Sequence, residues 1–297
     1  MELALSGITL NCHGILTDSR RKLFYHYFTC KNLDFIFLQE TYAREEHIQN
    51  FSREWKGSSA WAPSPATRSG GTAILFSPKF KGEILKINRD PYGRYVIVEV
   101  KVEDFLVNFI NIYAPNNRTV RKTFFSDLLD TIGTANQVIL AGDFNFVEDV
   151  LLDSESQEEY KITEAKQIHG LTELNKIKQD MDLIDPFRSI FPVKKEFTFV
   201  NKSYKDLKKR LDRFYISREL LSHVKSIEHW PSTYSDHSAV FLKFSIPDPN
   251  FRIGPGYWKC NVKTLKDEYF KLDFLSLWKN VSASEDRSAE WWENAFK

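Results

Sequence analysis

The stretch Val138–Asn145, with the sequence VILAGDFN, decides the fold class of this chain. Its apolar run predicts a buried strand that ends by delivering the carboxylate of Asp143 and the carboxamide of Asn145. Two positions apart in an extended chain, these side chains point to the same side. The acid can orient a water molecule and the amide can donate to a phosphoryl oxygen, so the pair suits phosphate chemistry.

The composition is that of a globular protein with a sizeable core. The chain has 297 residues, of which 42% are hydrophobic and 24 are Phe, a content that favours sheets over a simple helical bundle. The net charge of +1 does not indicate a nucleic-acid binder, so any such binding must depend on local patches.

Cysteine usage and hydropathy bear on location. The three cysteines, Cys12, Cys30 and Cys260, are scattered without zinc-type spacing, which favours a reducing compartment. Residues 1–10 lack the features of a secretion signal, and no apolar run approaches the roughly 18 residues of a membrane helix. We therefore expect no membrane partner.

Helical and strand patterns alternate along the chain. Three segments have helical periodicity: Thr17–Lys31, Thr119–Ile132 and Lys166–Gln179. Apolar or alternating runs predict strands at Ile8–Leu10, Asp34–Leu38, Thr72–Phe76, Arg94–Val102, Phe105–Tyr113, around Val138, at Phe197–Val200, Leu211–Ile216, around Ile227 and at Ala239–Phe244. We predict an α/β fold with hairpins, in which packed sheets are covered by helices, and we expect Phe197–Val200 to pair with Leu211–Ile216.

The character of the chain changes after Ile246. Pro and Gly clusters at 247–256 predict a linker, and the Trp-rich remainder is too short for a core of its own. We divide the chain into residues 1–245, which carry the chemistry, and residues 246–297. The second part is expected to be a linker and the helical, Trp-rich start of a connector.

Polar side chains follow most of the predicted strands, and they can converge on one rim of the sheets. They are Asn11, Glu40, Tyr113, Asp143, Asn145, Thr198, Asp212, Ser235, Asp236 and His237. The set offers carboxylates for a hard cation, donors for phosphate oxygens and a His with an acid partner. This inventory suits metal-assisted hydrolysis of a phosphodiester.

Each of these residues also has an ordinary explanation. Asp143 and Asn145 are typical turn formers after a strand. Glu40 can be a solvated acid, Asp236 and His237 a surface pair, and Thr198 an ordinary strand residue. Only the ordered conjunction favours a catalytic site.

Eight segments together carry a family resemblance. They are Thr9–Asn11, Phe37–Thr41, Ser69–Ala73, Asn111–Asn116, Gly142–Asn145, Phe197–Phe199, Arg210–Arg213 and Ser235–Ser238. In this order they resemble the endonuclease/exonuclease/phosphatase superfamily, which includes DNase I, exonuclease III and AP endonucleases. The sequence resembles more closely the apurinic-type endonuclease domain that begins LINE-type non-LTR retrotransposon polyproteins. The resemblance implies a DNase I-like four-layer α/β sandwich of two packed mixed β-sheets flanked by helices.

The resemblance also implies roles for the strand-end residues. Glu40 and Asp236, with Asn11, would bind Mg²⁺, for which Mn²⁺ can substitute. Asp143 would orient or deprotonate the attacking water, and Asn145 and Tyr113 would hold phosphate oxygens. His237 would donate to the phosphorane oxygen or to the leaving group, with Asp212 orienting it. Many repair relatives carry an acid where this chain has His13, so the resemblance implies a leaner metal site and argues against an abasic-site pocket.

A second set of residues is expected to contact DNA. Thr198 and Ser235 would support the phosphate, and the basic loop 201–210 resembles a hairpin that probes DNA shape in retrotransposon endonucleases. The loop and its neighbour Arg118 supply the expected contacts, which are Arg118, Tyr204, Lys205, Lys208, Lys209 and Arg210. The loop can equally be a solvated hairpin tip.

The implied function is Mg²⁺-dependent nicking of one strand of a double-stranded DNA target. The 3′-hydroxyl would prime reverse transcription at the target, with a reverse transcriptase domain downstream in the same polyprotein. The resemblance implies action in the nucleus after synthesis in the cytoplasm. Three alternatives remain: a repair AP endonuclease or exonuclease, a phosphoinositide or sphingolipid phosphatase of the same fold, and a non-enzymatic DNA-binding module.

Overall fold

The computed structural model describes residues 3–65, 69–132, 137–155, 170–201, 207–246 and 268–282. The chain divides into two compact units, Met1–Pro249 and Asn250–Lys297. The described part of the smaller unit is a helix, Glu268–Ser282. All the architecture below belongs to the larger unit.

The first sheet has six strands. They are β1 Ala4–Asn11, β2 Phe35–Gln39, β3 Ser59–Ala62, β4 Thr72–Phe76, β14 Val224–Trp230 and β15 Ala239–Ser245. Their order across the sheet is β14-β15-β1-β2-β4-β3. Only β1 and β2 run parallel; the other neighbours are antiparallel, so the sheet is mixed.

The second sheet also has six strands. They are β5 Glu83–Arg89, β6 Tyr95–Val102, β7 Phe105–Tyr113, β8 Gln137–Asp143, β10 Leu183–Ile184 and β13 Asp212–Ser217. Their order is β10-β13-β8-β7-β6-β5, and here β7 and β8 are the parallel pair. Each parallel pair requires a crossover, and a helix supplies it in both sheets.

Helices cover the outer faces of the two sheets. They are α1 Asp18–Cys30, α2 Glu45–Trp55, α3 Arg118–Ile132 and α4 Leu171–Asp180. The short α5 Pro186–Ile190 and a 3₁₀ helix, η1 Arg218–His223, instead add Phe187 and Leu220 to the core between the sheets. Helix α1 connects β1 to β2, and α3 connects β7 to β8.

Strand β2 explains the layering, because every residue in it is buried. Phe35 and Phe37 point into a central core that also contains Phe109 and Phe214 of the second sheet. The alternate residues of β2 pack instead with α1 and α2. A third cluster joins α3 and α4 to the second sheet. The predicted four-layer sandwich of two mixed sheets is confirmed.

A buried polar link fixes the two sheets against each other. Asn111 of β7 accepts a hydrogen bond of 2.6 Å from the Gln39 amide and donates to the carbonyls of Leu38 and Ala73 in the first sheet. Amides buried this deeply must find partners, so they specify one registration of the sheets.

One predicted strand pairing is wrong. The segment at 197–200 pairs with β12 rather than with 211–216: β11, Phe199–Val200, is antiparallel to β12, Lys208–Lys209. Strand β12 then pairs with β9, Ser154–Glu155, to make a small third sheet. Strand β13 lies between β8 and β10 instead. The basic segment is therefore partly a strand, not wholly a loop.

Among the helices of the described residues, none is both long and apolar enough to span a bilayer.

Candidate active site

The first sheet delivers two side chains at the carboxyl ends of its parallel strands. Asn11 is the last residue of β1 and lies opposite Gln39, the last residue of β2. Glu40 follows with a positive φ of 51°, which turns its side chain away from the strand direction. Parallel strands end at one edge, so Asn11 and Glu40 meet there.

The second sheet places three more residues side by side on neighbouring strands. Tyr113 of β7 lies opposite Asp143 of β8, and Asp143 lies opposite Asp212 of β13. Gly142 precedes the acid with a φ of 145°, and a Cβ there would overlap the carbonyl oxygen of Ile112. Only glycine fits this close approach of the backbones.

Asn11 joins the edges of the two sheets. Its Nδ2 donates to Glu40 Oε1 at 3.1 Å and to Asp143 Oδ2 at 3.0 Å. Its Oδ1 accepts from the backbone N–H of His13 at 3.2 Å. The single carboxamide therefore orients one carboxylate from each sheet.

Asn145 closes the turn that follows Asp143. The Asn145 backbone is left-handed, with a φ of 56°, and its N–H donates to Asp143 Oδ1 at 2.9 Å. Asn145 Nδ2 donates to the carbonyl of Ala114 at 2.7 Å. A primary amide has two N–H donors, so the second is left for a ligand oxygen.

His237 and Asp212 form a buried pair beside Asp143. His237 Nδ1 lies 2.8 Å from Asp212 Oδ2, and both residues are buried. The carboxylate can only accept, so the proton is assigned to Nδ1, and Nε2 remains for a substrate. One oxygen of each acid and a His237 ring nitrogen lie within 4.8 Å of one another.

One hydroxyl holds the backbone beside Asp212, and another holds the loop that carries His237. Thr198 Oγ1 accepts from the backbone N–H groups of Leu211 and Asp212 at 2.9 and 3.0 Å. Ser235 Oγ donates to the carbonyl of Asn11 at 2.6 Å and accepts from the N–H of His237 at 3.1 Å. Both hydroxyls have structural partners, and their phosphate contacts stay predictions.

Burial and charge perturb the two groups predicted to move protons. Desolvation, with the neighbouring Asp212 carboxylate, raises the pKa of Asp143 to about 6. Burial disfavours the charged form of His237, but Asp212 outweighs it by charge and hydrogen bonding and raises the His237 pKa to about 10. At neutral pH the imidazolium can donate a proton while Asp143 is mostly ionised.

The predicted metal ligands are oxygen donors, the kind that a hard divalent cation prefers. Glu40 and Asp236 are half-buried carboxylates, and Asn11 lies between Glu40 and Asp143. Among the described residues, Asp212 Oδ1 is buried without a hydrogen-bond partner, so this acceptor is left for a ligand or a water. Oxygen donors of this kind suit Mg²⁺ better than softer metals. Asp143, Asp212 and His237 form a second group close enough to hold an ion.

Two further residues lie against Glu40: Tyr42, which the sequence reasoning missed, and His13, which the resemblance singled out only as the replacement of an acid. The hydroxyl of Tyr42 donates to Glu40 Oε2 at 2.8 Å, and His13 Nδ1 lies 3.4 Å from the same oxygen. Both residues have positive φ, 59° for Tyr42 and 48° for His13. Their contacts depend on these tight turns, for which spacing in the sequence gives no signal. Tyr113 is half-buried beside Glu40, and burial together with that acid raises its pKa, so it remains a neutral donor.

The structure corrects one predicted DNA contact. Arg210 is 1% exposed, and its guanidinium donates to Asp153 and Asp185, each at 2.7 Å. The prediction that Arg210 contacts DNA is therefore wrong, because its guanidinium faces carboxylates inside the protein.

The other predicted DNA contacts are less constrained. Arg118 is exposed at the start of α3, and Lys208 and Lys209 are half-buried on β12. Lys208 Nζ lies 3.1 Å from Glu155 Oε1. Tyr204 and Lys205 lie outside the described residues. These contacts stay predictions.

The fold and the site together define a class of protein. Two mixed sheets meet at a rim that carries paired acids, amides and a His–Asp pair, and residues 8–237 match the endonuclease/exonuclease/phosphatase family. The chain belongs to that family, and the prediction of a phosphodiester-cleaving enzyme is confirmed at this level.

One curated relative gives a more particular similarity. The chain is 29% identical over 298 residues to the "Transposon TX1 uncharacterized 149 kDa protein" of Xenopus laevis. The match covers 98% of this chain and 22% of that protein, so the chain spans about a fifth of the length of the relative. The predicted resemblance to a transposon protein is confirmed.

Solved structures share the fold. An AP endonuclease of Leishmania major superposes with a TM-score of 0.70 at 17% identity, covering 82% of this chain and 89% of that chain. An AP endonuclease of Archaeoglobus fulgidus gives 0.66 at 16% identity, covering 82% and 100%. At these identities the likeness establishes the fold alone.

Proposed function

We propose that the protein is a Mg²⁺-dependent DNA endonuclease that nicks one strand and leaves a 3′-hydroxyl. The observation that carries the proposal is the meeting of Asp143 and the His237–Asp212 pair within 4.8 Å, with Asn11 linking Asp143 to Glu40. An ionised acid and a protonated imidazole at one point are what hydrolysis of a phosphodiester by water requires.

Asp143 is the residue that prepares the water. Its carboxylate is oriented by Asn11 at Oδ2 and by the backbone of Asn145 at Oδ1. In the proposed reaction the water oxygen bonds to phosphorus as the bond from phosphorus to the 3′-oxygen breaks. Asp143 takes the proton of the water, so the products are a 3′-hydroxyl and a 5′-phosphate.

His237 stabilises the negative charge that develops on the phosphate or on the leaving oxygen. Asp212 keeps the imidazole protonated and directs Nε2 outward. The imidazolium donates to a phosphorane oxygen or to the departing 3′-oxygen, while Asn145 and Tyr113 donate to the remaining phosphoryl oxygens. Fixed donors of this kind stabilise charge that develops only in the transition state.

Glu40 and Asp236 would hold the cation, with Asn11 orienting Glu40. A bound Mg²⁺ would neutralise the charge of the phosphoryl oxygens at this point. Tyr42, through its 2.8 Å hydrogen bond to Glu40, would fix the second oxygen of that carboxylate.

The biological setting rests on the transposon relative. We infer that the nick primes reverse transcription and integration of a non-LTR retrotransposon, that a reverse transcriptase domain lies downstream of residue 297, and that the enzyme acts on double-stranded DNA in the nucleus. The similarity to the Xenopus laevis transposon protein, over 98% of this chain, supports the retrotransposon setting. The match covers only 22% of that protein, which supports the inference of further domains.

A repair AP endonuclease is the second candidate, because two solved relatives by fold carry that name. His13 stands where many such enzymes carry an acid, and its ring lies 3.4 Å from Glu40. An undamaged duplex and the same duplex with one abasic site separate the two functions. Preferential cleavage of the abasic duplex would favour repair.

The chemistry of the ends tests the proposal. Supercoiled plasmid nicked by the protein in Mg²⁺ is offered to a DNA polymerase without further treatment. Direct extension from the nicks is expected because each carries a 3′-hydroxyl. Nicks that can be extended only after a phosphatase removes a 3′-phosphate would contradict the proposed direction of cleavage.

A further inference from the structure

A cavity opens beside the candidate active site and reaches beyond it. Its volume is about 530 Å³, and its lining residues are His13, Arg20, Thr233, Tyr234, Ser235 and Asp236. This volume is in the range of ordinary ligand sites, roughly 300–1,000 Å³. Of this lining, Asp236 has a part in the proposed chemistry and Ser235 is a predicted phosphate contact.

Arg20 gives the cavity a fixed positive charge. Its Nε donates to the carbonyl of Gly14 at 2.6 Å, and its Nη2 donates to the carbonyls of Cys12 and Tyr234 at 2.8 and 2.5 Å. Within the described part of the chain, Arg20 has no carboxylate within ion-pair distance. A guanidinium that is held by neutral carbonyls keeps its full charge and its remaining N–H donors for a ligand.

The cavity shares a wall with the predicted metal site. His13, whose side chain is 60% exposed, lies 3.4 Å from Glu40, and Ser235 donates to the carbonyl of Asn11 at 2.6 Å. Asp236 lines the cavity and is also a predicted ligand of the cation. A ligand in the cavity would therefore lie next to the predicted metal site.

We propose that this cavity holds the backbone phosphate and sugar of the nucleotide next to the cleaved phosphodiester. Arg20 is its main phosphate contact, and His13 and Tyr234 border the sugar. The inference rests on the proposed function, because it takes DNA as the substrate. The contacts to carbonyls leave the two N–H groups of Arg20 Nη1, which suit phosphate oxygens. The hydroxyls that line the rest of the cavity suit a polar sugar rather than an apolar base.

Arg20→Met tests this assignment directly. We would measure the affinity for a double-stranded DNA duplex in EDTA over a range of salt concentrations, so that neither metal nor turnover is involved. Removing one charge-assisted hydrogen bond to phosphate is expected to weaken binding about tenfold and to reduce the salt slope by about 0.9. Arg218→Met is the matched control, because Arg218 is exposed and follows the end of β13 opposite to Asp212; its affinity should match the wild type.

Two further measurements guard against a folding defect. His13→Ala changes an exposed side chain, and its binding should be weaker than that of the wild type. In the second, single phosphates of the duplex are replaced by neutral methylphosphonates. The wild type should lose affinity at one position beside the nick, and Arg20→Met, if folded, should be insensitive there.

The outcomes separate this inference from the proposed function. A folded Arg20→Met with wild-type affinity and slope would overturn the inference even if the wild type nicks DNA. A wild type without affinity for the duplex, or without sensitivity to any single methylphosphonate, would also overturn it. Weaker binding by Arg20→Met with no nicking by the wild type would support the phosphate site in the cavity and contradict the proposed endonuclease activity.

Discussion

At the scale of single residues, the site depends on backbone turns as much as on side-chain identity. Glu40, Tyr42 and Asn145 all have positive φ. Such conformations are costly for residues other than glycine and persist where the surrounding structure holds them, often at functional sites. The turns aim the carboxylates and amides at one point, which straight continuations of the strands would not do.

Asp212 has a positioning role that can be measured. Asp212→Asn keeps the shape of the side chain but removes the charge that favours the His237 imidazolium. We expect nicking to fall roughly ten- to a hundredfold, less than on removal of the imidazole itself. Initial rates on supercoiled plasmid give the comparison, and DNA binding in EDTA should stay at the wild-type level. A fully active Asp212→Asn would show that His237 does not need its partner.

His229 makes a prediction for stability against pH. Burial lowers the His229 pKa to about 4, although Glu196, whose carboxylate lies 3.9 Å from Nδ1, opposes the shift. The unfolded chain then binds more protons between about pH 4 and 6.5, so stability is lost as the pH falls through this window. Between pH 7.5 and 5 this histidine should cost the folded state about 2 kcal/mol.

His229→Phe is the matched variant, because the ring already stacks on Phe187 with centroids 4.5 Å apart. Urea unfolding at the two pH values should show that the variant lacks this part of the decrease in stability. An equal decrease in both proteins would mean that His229 is not buried in its neutral form.

Several of these residues were predictable and others were not. Asp143, Asn145, Glu40, Asp212 and His237 each lie at or within two residues of the end of a strand whose apolar run is visible in the sequence, so their convergence could be inferred. Tyr42 and His13 contact Glu40 through turns that no periodicity indicates. Arg210 was assigned to DNA because it ends a basic run, whereas its acid partners are distant in sequence.

At the scale of elements, buried ion pairs anchor the small third sheet. Arg210 follows β12 and pairs with Asp153, which precedes β9, and with Asp185, which caps α5. Arg188 of α5 also reaches Asp153. The basic hairpin is thereby fixed at its base, next to Thr198 and the Asp212 loop.

Arg210→Met should destabilise the protein strongly. It leaves Asp153 and Asp185 buried without their main partner, and breaking a buried pair in this way costs about 3–5 kcal/mol. Arg218→Met is the control, because its pair with Asp182 is exposed and should contribute less than about 1 kcal/mol. Denaturant unfolding measures both. Similarly small effects of the two substitutions would mean that the network is not an anchor.

Strand β12 carries the prediction that the hairpin contacts DNA. Replacing Lys208 and Lys209 by Ala should weaken binding and lower the salt slope, by up to about 0.9 for each phosphate that the variant no longer neutralises. Lys86 and Lys101 on β5 and β6 provide a control pair with the same change of charge. If both double variants lose affinity equally, the effect is one of net charge and the hairpin has no special part.

The strand pairing in this region shows where sequence reasoning fails. Phe197–Val200 and Leu211–Ile216 are both good strand sequences, and nearness along the chain suggested that they pair. Strand β13 instead takes the place between β8 and β10, where both of its faces are covered. Burial of all six β13 residues outweighs the local hairpin.

At the scale of the whole molecule, the site exists because two sheets are packed in one registration. Asn11 and Glu40 come from one sheet, and Tyr113, Asp143 and Asp212 from the other. The central Phe core and the Gln39–Asn111 link hold these edges together. The layered fold was predictable from fully apolar strands alternating with helices, which must be covered on both faces. The registration was not, since it depends on contacts between residues about 70 apart in sequence.

The central claim is that Asp143 and His237 hydrolyse DNA with the help of a divalent cation. The direct measurement is nicking of supercoiled plasmid in Mg²⁺ and in EDTA by the wild type, Asp143→Ala and His237→Ala. We expect the wild type to nick in Mg²⁺ only, and each variant to be slower by at least about a hundredfold while still folded and binding DNA. Nicking by Asp143→Ala at the wild-type rate, or no nicking by a well-folded wild type, would contradict the account.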